Sequence, residues 1–218
     1  MKQEDIRKAI EEAKKNSPKR NFNQTYDLII VYSNIDIKKP EQQVDFYANI
    51  PFSTGNDTRV CALIGPELMD NAKQSCDGAV GADEFEKYSK DKKLLKKLAR
   101  DYDFFIAQAN IMPKVAAAFG RVLGPRGKMP NPKAGCVVPP NANLKPLVTR
   151  LKKTVRVVAK TAPMSQVSVG KENSKEDDVI ENILALYDQL IHHITGGKDS
   201  VRKIYLKLTM GKPVKIEL

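Results

Sequence analysis

The C-terminal stretch KIYLKLTMGKP gathers the side chains best suited to holding a polar ligand. Read as a strand, its alternation sets Ile204, Leu206, Leu208 and Met210 on one face and Lys203, Tyr205, Lys207 and Thr209 on the other. The second face joins cations, a stacking ring and a hydroxyl. Gly211 is expected to let a ligand approach the backbone, and Lys212 adds a charge. In SQVSVGK, the polar face Gln166, Ser168 and Gly170 opposes Val167 and Val169, with Lys171 at the end. In NFNQTYDL, the face Asn23, Thr25 and Asp27 opposes Phe22, Gln24 and Tyr26, just after Lys19 and Arg20. Hydroxyls, small polar groups and cations on one side of a sheet suit RNA, whose 2′-hydroxyls and phosphates need donors and acceptors together. A solvated antiparallel face has the same alternation, and a Thr-Met-Gly turn is also ordinary hairpin chemistry.

A second candidate is LGPRGKMPNPKAG, where Arg121, Arg126, Lys128 and Lys133 surround glycines that free backbone N–H groups for an anion. Prolines that shape a surface loop explain it equally well. Neither GxxxxGK[ST] nor a GxGxxG after a strand occurs, so the signatures of nucleotide hydrolysis and dinucleotide binding are missing. Catalysis finds little else to use. His192 and His193 are adjacent on a helix and point apart, which reads as a partly buried pair at a helix end and not as a metal site. Cys61, Cys76 and Cys136 share no CxxC spacing and read as reduced thiols. No cofactor and no metal is expected.

The balance of charge points the same way as the polar faces. The 68 residues from Phe104 to Lys171 hold twelve Lys and Arg and no carboxylate, and they account for the whole net charge of +11. Such a segment is expected to attract polyphosphate, because each neutralised phosphate releases counterions, although a solvated lysine-rich face of a very soluble protein has the same composition. No apolar run reaches the length of a membrane span, and the charged opening MKQEDIRKAIEEAKK is unlike a signal peptide, so a cytoplasmic protein is expected.

The elements that must position these residues follow from periodicity. Ile6, Ala9, Ile10 and Ala13 predict a helix over 4–15, ended by Ser17-Pro18. A strand is predicted over 25–33, with Leu28, Ile29, Ile30 and Val31 suggesting burial on both faces, and a half-exposed strand over 44–50. From Arg59 the texture turns to parallel α/β folding: VCALIG, a helix at PELMDNAKQS, GAV, one long charged helix at EFEKYSKDKKLLKKLARDY, DFFIAQ, and a helix at MPKVAAAFG. After the Pro- and Gly-rich loop, the basic helix LKPLVTRLKK leads to strands TVRVVAK and SQVSVGK, the amphipathic helix EDDVIENILALYDQLIHHI, and strands KIYLKLTM and KPVKIEL.

Three stretches, NFNQTYDLIIVYSNIDIKKPEQ, IMPKVAAAFGRVLGPRGKMPNPKAG and VRKIYLKLTMGKP, together resemble the L-one family of large-subunit ribosomal proteins, which forms the mobile stalk beside the tRNA exit site. PNANLKPLV looks archaeal in type. The resemblance implies an α/β fold of two domains. Residues 1–58 and 157–218 would form a discontinuous α+β sandwich, the main rRNA binder, and residues 59–156 an inserted Rossmann-like, three-layer α/β domain with the basic loop. Hinges are expected near 56–60 and 153–162.

By position, Phe22, Thr25 and Asp27, after Arg20 and Asn21, match the family's N-terminal contact motif, and Thr209, Met210 and Gly211 the C-terminal one. Gly170 and Lys171 correspond to a loop closing the same site. Asp27 stands where the family often has glutamate, and Asn21 where lysine is common. The implied function is not enzymatic: a monomer when free, bound to large-subunit rRNA, meeting exit-site tRNA, helping release it, and repressing its own mRNA. Two rivals stay open. One is a small α/β transferase acting on a phosphorylated substrate through GPRGK, the other a regulator that never resides on ribosomes.

Overall fold

A computed structural model describes residues 1–33, 35–194 and 196–217. In chain order its elements are α1 (Gln3–Lys15), β1 (Thr25–Tyr32), β2 (Val44–Asn49), β3 (Val60–Ile64), α2 (Met69–Ser75), β4 (Gly78–Gly81), α3 (Phe85–Lys90), α4 (Lys92–Asp101), β5 (Phe104–Gln108), α5 (Met112–Leu123), β6 (Val137–Val138), α6 (Leu144–Leu151), β7 (Thr154–Ala159), β8 (Met164–Lys171), α7 (Glu176–His193), β9 (Val201–Leu208) and β10 (Val214–Ile216). Two units divide the chain, Met1–Asn56 with Lys153–Leu218, and Asp57–Lys152.

The first expected boundary, 58/59, lies at 56/57, and the second, 156/157, moves back into the insertion to 152/153. The cause is β7, which pairs with β2 over its whole length, from Asn49↔Thr154 to Val44↔Ala159, and so belongs entirely to the first unit. That pairing also corrects the expected hinge at 153–162: most of it is strand, and the second crossing between the units lies at Lys152–Lys153.

In the first unit an antiparallel sheet runs in the order β10-β9-β1-β8. Tyr26, Leu28, Ile30 and Tyr32 of β1 and Ile204, Leu206 and Leu208 of β9 enter one core with Ile6 and Ile10 of α1 and Ile183 and Leu186 of α7. Ile29 and Val31 are only half-buried, so the run 28–31 alternates and is not buried on both faces; the core with α1 and α7 lies on one side of it. Val44, Phe46, Ala48 and Ile50 are buried as their alternation predicts. Arg156 on β7 grips Asp45 on β2 through Nε and Nη2, at 2.9 and 3.0 Å, and Lys160 approaches the same carboxylate at 2.7 Å. The Arg156 hydrogen bonds hold the Asp45 carboxyl below the usual carboxylate range, against the opposing effect of its burial.

Helix α7 opens with Glu176, Asp177 and Asp178, as the helix dipole favours. At its other end His192 and His193 are exposed, not partly buried as expected; His193 stacks on Phe46 with ring centroids 4.4 Å apart.

In the second unit a parallel sheet runs β4-β3-β5-β6. All five residues of β3 are buried, because helices cover both faces. Cys61 and Leu63 face a core with Phe85, Leu95, Leu98, Val115 and Phe119 from α3, α4 and α5. Helices α2 and α6, which pack on each other, bury Ala72, Leu144, Val148 and Leu151.

The single long charged helix expected over 84–102 is two helices. Asp91 takes an extended backbone, φ −105° and ψ 97°, and its carboxylate accepts from Lys93 N and Leu94 N at 2.8 and 3.3 Å. This N-cap ends α3 and starts α4 in a new direction. Burial pushes the thiol of Cys61 up to about 12 and those of Cys76 and Cys136 up to about 11, so all three stay protonated and weakly nucleophilic.

The strand order puts the topological switch point between β3 and β5, where open α/β sheets of this kind bind ligands. Here that crevice is filled from within. The Gln108 side chain, 1% exposed, accepts from Gly65 N at 2.7 Å and donates to the Glu67 carboxylate at 3.3 Å. The Gly65 N–H at this strand end is thus taken by the Gln108 side chain and is not offered to a phosphate.

Candidate nucleic-acid interface

Strand pairing brings the three polar stretches onto one face of one sheet. Asp27 on β1 lies between Ser168 on β8 and Lys207 on β9, and Ile29 lies between Gln166 and Tyr205, with Lys215 beyond. At the end of the sheet Thr25 sits opposite Lys171. Gln166 donates to the Asp27 carboxylate at 3.3 Å. Partial burial pushes that carboxyl above the usual range, while the Gln166 hydrogen bond and the Lys207 cation pull it back.

The turn after β9 is joined to the start of β1 by reciprocal bonds. Thr25 N donates to Thr209 Oγ1 at 3.0 Å, and the same hydroxyl donates to Thr25 O at 3.3 Å. Beside it, Met210 N donates to Gln24 Oε1 at 3.1 Å. Gln24 is 1% exposed, on the buried side with Tyr26 as alternation expects, and is a hub whose role the sequence reading did not single out. Its side-chain amide N–H also donates to Ser17 Oγ at 3.0 Å, and its backbone carbonyl accepts from Glu172 N at 2.8 Å, so one residue ties together the 17–24 segment, the end of β8 and the 209–211 turn. The available signal was a glutamine sharing the core phase with Tyr26 and Leu28.

Three expectations about individual residues need correction. Met210 does not continue the apolar face of β9, which ends at Leu208; it sits in the turn and is 54% exposed. Phe22 is likewise outside β1, and 51% exposed. Gly170 does not share the polar face of Gln166 and Ser168. A bulge between Tyr26 and Asp27 pairs Tyr26 with Gly170 and turns that glycine inward, where a Cβ would lie 2.8 Å from Val179 Cγ2. Gly211 is partly accessible and also close to the protein's own chain, since a Cβ there would lie 3.2 Å from Ser17 Cβ.

Arg20, Asn21 and Lys212 are exposed near this end of the sheet, and Lys171 is half-buried, its aliphatic stem against Gly55. Thus Phe22, Met210, Lys212, Lys171, Thr209 and Thr25 belong to chain segments that hydrogen bonds hold together. The arrangement offers two exposed apolar side chains, hydroxyls and cations around a braced turn.

The basic loop of the second unit divides differently. Arg121 is not in it but in the last turn of α5. Lys128 turns inward as a brace, donating to Tyr102 O at 2.7 Å and lying 3.4 Å from Asp103, so it is not free for an anion. Arg126 and Lys133 are exposed, Arg126 reaching Lys96 O at 3.5 Å.

A discontinuous antiparallel unit with a braced, cation-bearing sheet end, interrupted by a parallel α/β unit, defines a class of two-unit α/β proteins. Comparison with known families makes this particular: the chain belongs to the Ribosomal protein L1p/L10e family, whose model matches residues 9–212. This is a structural family and not one of enzymes. The chain is 40% identical over 217 residues to the Large ribosomal subunit protein uL1 of Methanothermococcus thermolithotrophicus, covering all of both chains. It is 36% identical to that of Methanocaldococcus jannaschii, over 100% of this chain and 97% of the relative, and 35% identical to that of Thermococcus kodakarensis, over 96% and 95%. The archaeal resemblance read from PNANLKPLV agrees with these relatives. Among the described residues no helix is long and apolar enough to cross a membrane.

Proposed function

We propose that the chain is a structural protein of the large ribosomal subunit that binds rRNA of the mobile stalk near the tRNA exit site. The first unit carries the principal contact, at the end of the β10-β9-β1-β8 sheet. The observation that carries this reading is the Thr25–Thr209 and Gln24–Met210 bonding, which braces a turn while leaving Met210 and Phe22 exposed. Exposed large apolar groups on a rigid polar surface are a hallmark of a contact site. Thr25, Thr209, Lys207 and Lys212 supply donors to phosphates and 2′-hydroxyls, and Met210 and Phe22 pack on sugars or bases. Arg20, Asn21, Asp27, Gln166, Ser168 and Lys171 extend the surface, while Gly170 and Gly211 support it from within.

The test is a footprint of the protein on isolated large-subunit rRNA. A single compact protected region that survives moderate salt is the expected outcome. Diffuse protection that salt erases overturns the reading, since unspecific phosphate contacts alone behave that way.

A site that recognises folded RNA by shape accepts any transcript presenting the same fold, which supports repression of its own mRNA. The acid-free segment of the second unit supports contact with exit-site tRNA and a part in its release. The chain is a monomer when free, and ribosome-bound in the cytoplasm.

Gln24 positions the turn without touching RNA. Replacing it by leucine removes the acceptor of Met210 N–H and is expected to weaken rRNA binding about tenfold, with a stability loss of about 1–2 kcal/mol. Titration of rRNA alongside a urea melt measures both, and wild-type affinity in a variant of reduced stability denies the positioning role.

A further inference from the structure

We propose that the groove between α4 and α5 binds the sugar–phosphate backbone of unpaired RNA, as a contact separate from the sheet end; this rests on the RNA-binding reading above. The break at Asp91 is what creates it. By ending α3 there, the chain lays α4 beside α5, and of the acids that precede the break, Asp83, Glu84 and Glu86, only Glu86 comes near, lining with Lys114 a neighbouring pocket that shares Ser89, Ala117 and Ala118 with the groove. The two helices together carry seven Lys and Arg against one carboxylate, Asp101, which lies 3.4 Å from Arg100. The Asp91 carboxylate is turned to the N–H groups of its own helix.

The groove has a volume of about 450 Å³. Lys92 and Lys96 stand one helical turn apart on the α4 wall, and Arg121 stands on the α5 wall. Leu95, Ala117 and Val122 line it between them. All three cations are exposed, and among the described residues none of them pairs with a carboxylate.

Cations on both walls suit one strand of phosphates running between them. The alanine keeps the lining shallow, and no aromatic ring is present to stack a base, so the contact reads backbone and not sequence. Arg121, assigned from sequence to the GPRGK loop, therefore acts with α4.

The test titrates full-length protein with a 20-nucleotide oligouridylate at several salt concentrations. The variant carrying Lys92→Gln, Lys96→Gln and Arg121→Gln is expected to bind about a hundredfold more weakly near 0.1 M salt, and to lower the slope of log affinity against log salt by about 2, at about 0.7 per contact for single strands. A control with Lys38→Gln, Lys39→Gln and Lys198→Gln, all exposed in the first unit, makes the same change in net charge and is expected to keep most of the slope. The groove assignment is overturned if the first variant keeps the wild-type slope, if the control loses as much, or if the variant loses affinity for poly-L-glutamate alone.

Met210→Asp separates the two readings. It is expected to retain oligouridylate binding and lose large-subunit rRNA. Wild-type protein that binds rRNA with a groove variant of unchanged slope sinks the groove alone, whereas wild-type protein that binds neither RNA sinks the RNA reading itself.

Discussion

Met210→Asp is expected to weaken binding to large-subunit rRNA by about a hundredfold or more, about 3 kcal/mol, while the melting temperature stays within about 2 °C of wild type. The two halves of this result have separate causes. Met210 is more than half exposed and its side chain is absent from the apolar core, so the fold loses little when it changes. Its backbone N–H bonds Gln24 whatever side chain it carries, so the turn is kept. The new carboxylate, however, projects from the turn where phosphates and 2′-hydroxyls are expected. A charge buried there without a partner costs several kcal/mol, and it repels the backbone as well. Isothermal titration with purified rRNA and a circular dichroism melt read the two quantities. Wild-type affinity in the folded variant removes Met210 from the interface. Met210→Leu, which keeps size and apolarity, is expected to lose less than about threefold, and so separates the charge from the mere change of side chain.

Asn182→Leu is expected to cost about 2–4 kcal/mol of stability, the largest fold effect among the polar residues considered. Asn182 is 1% exposed on α7, accepts from Phe52 N at 3.0 Å and donates to Val169 O at 2.9 Å. Leucine has similar volume but leaves a buried donor and a buried acceptor without partners, each worth about 1–3 kcal/mol, offset in part by apolar burial. The effect reaches the candidate site. Val169 is the extra residue at the β8 bulge, and the 51–55 segment that Asn182 anchors ends at Gly55, against the stem of Lys171. A urea titration measures the loss as a shift in midpoint with little change in slope. A wild-type midpoint contradicts the assignment of Asn182 as an interior anchor.

The helices and strands were largely legible because their signals are local. Ile6, Ala9, Ile10 and Ala13 face one way on any helix, and Val44, Phe46, Ala48 and Ile50 on any strand, whatever lies around them. The family was legible for a related reason: its diagnostic stretches span most of the chain, and the match over 9–212 agrees with them. Phase errors arose where regular structure stops. Alternation carried Met210 and Phe22 past the ends of their strands, and it could not foresee the extra residue at Val169 that turns Gly170 inward. Asp91 was hidden inside a helical pattern, since a capping aspartate and a surface aspartate read alike until the backbone angle is known.

By itself, then, the order of residues determined the element types, the excess of positive charge, the absence of nucleotide-binding signatures and the polar character of three stretches. Only the tertiary structure decided which of those residues act together. Hydrogen bonding between segments far apart in the chain joins Thr25 to Thr209 and Gln24 to Met210, and packing of α4 against α5 sets Lys92 and Lys96 beside Arg121. The reason is physical: periodicity records which face of an element is buried, but the partner across that face is chosen by strand pairing and close packing, which no local pattern encodes.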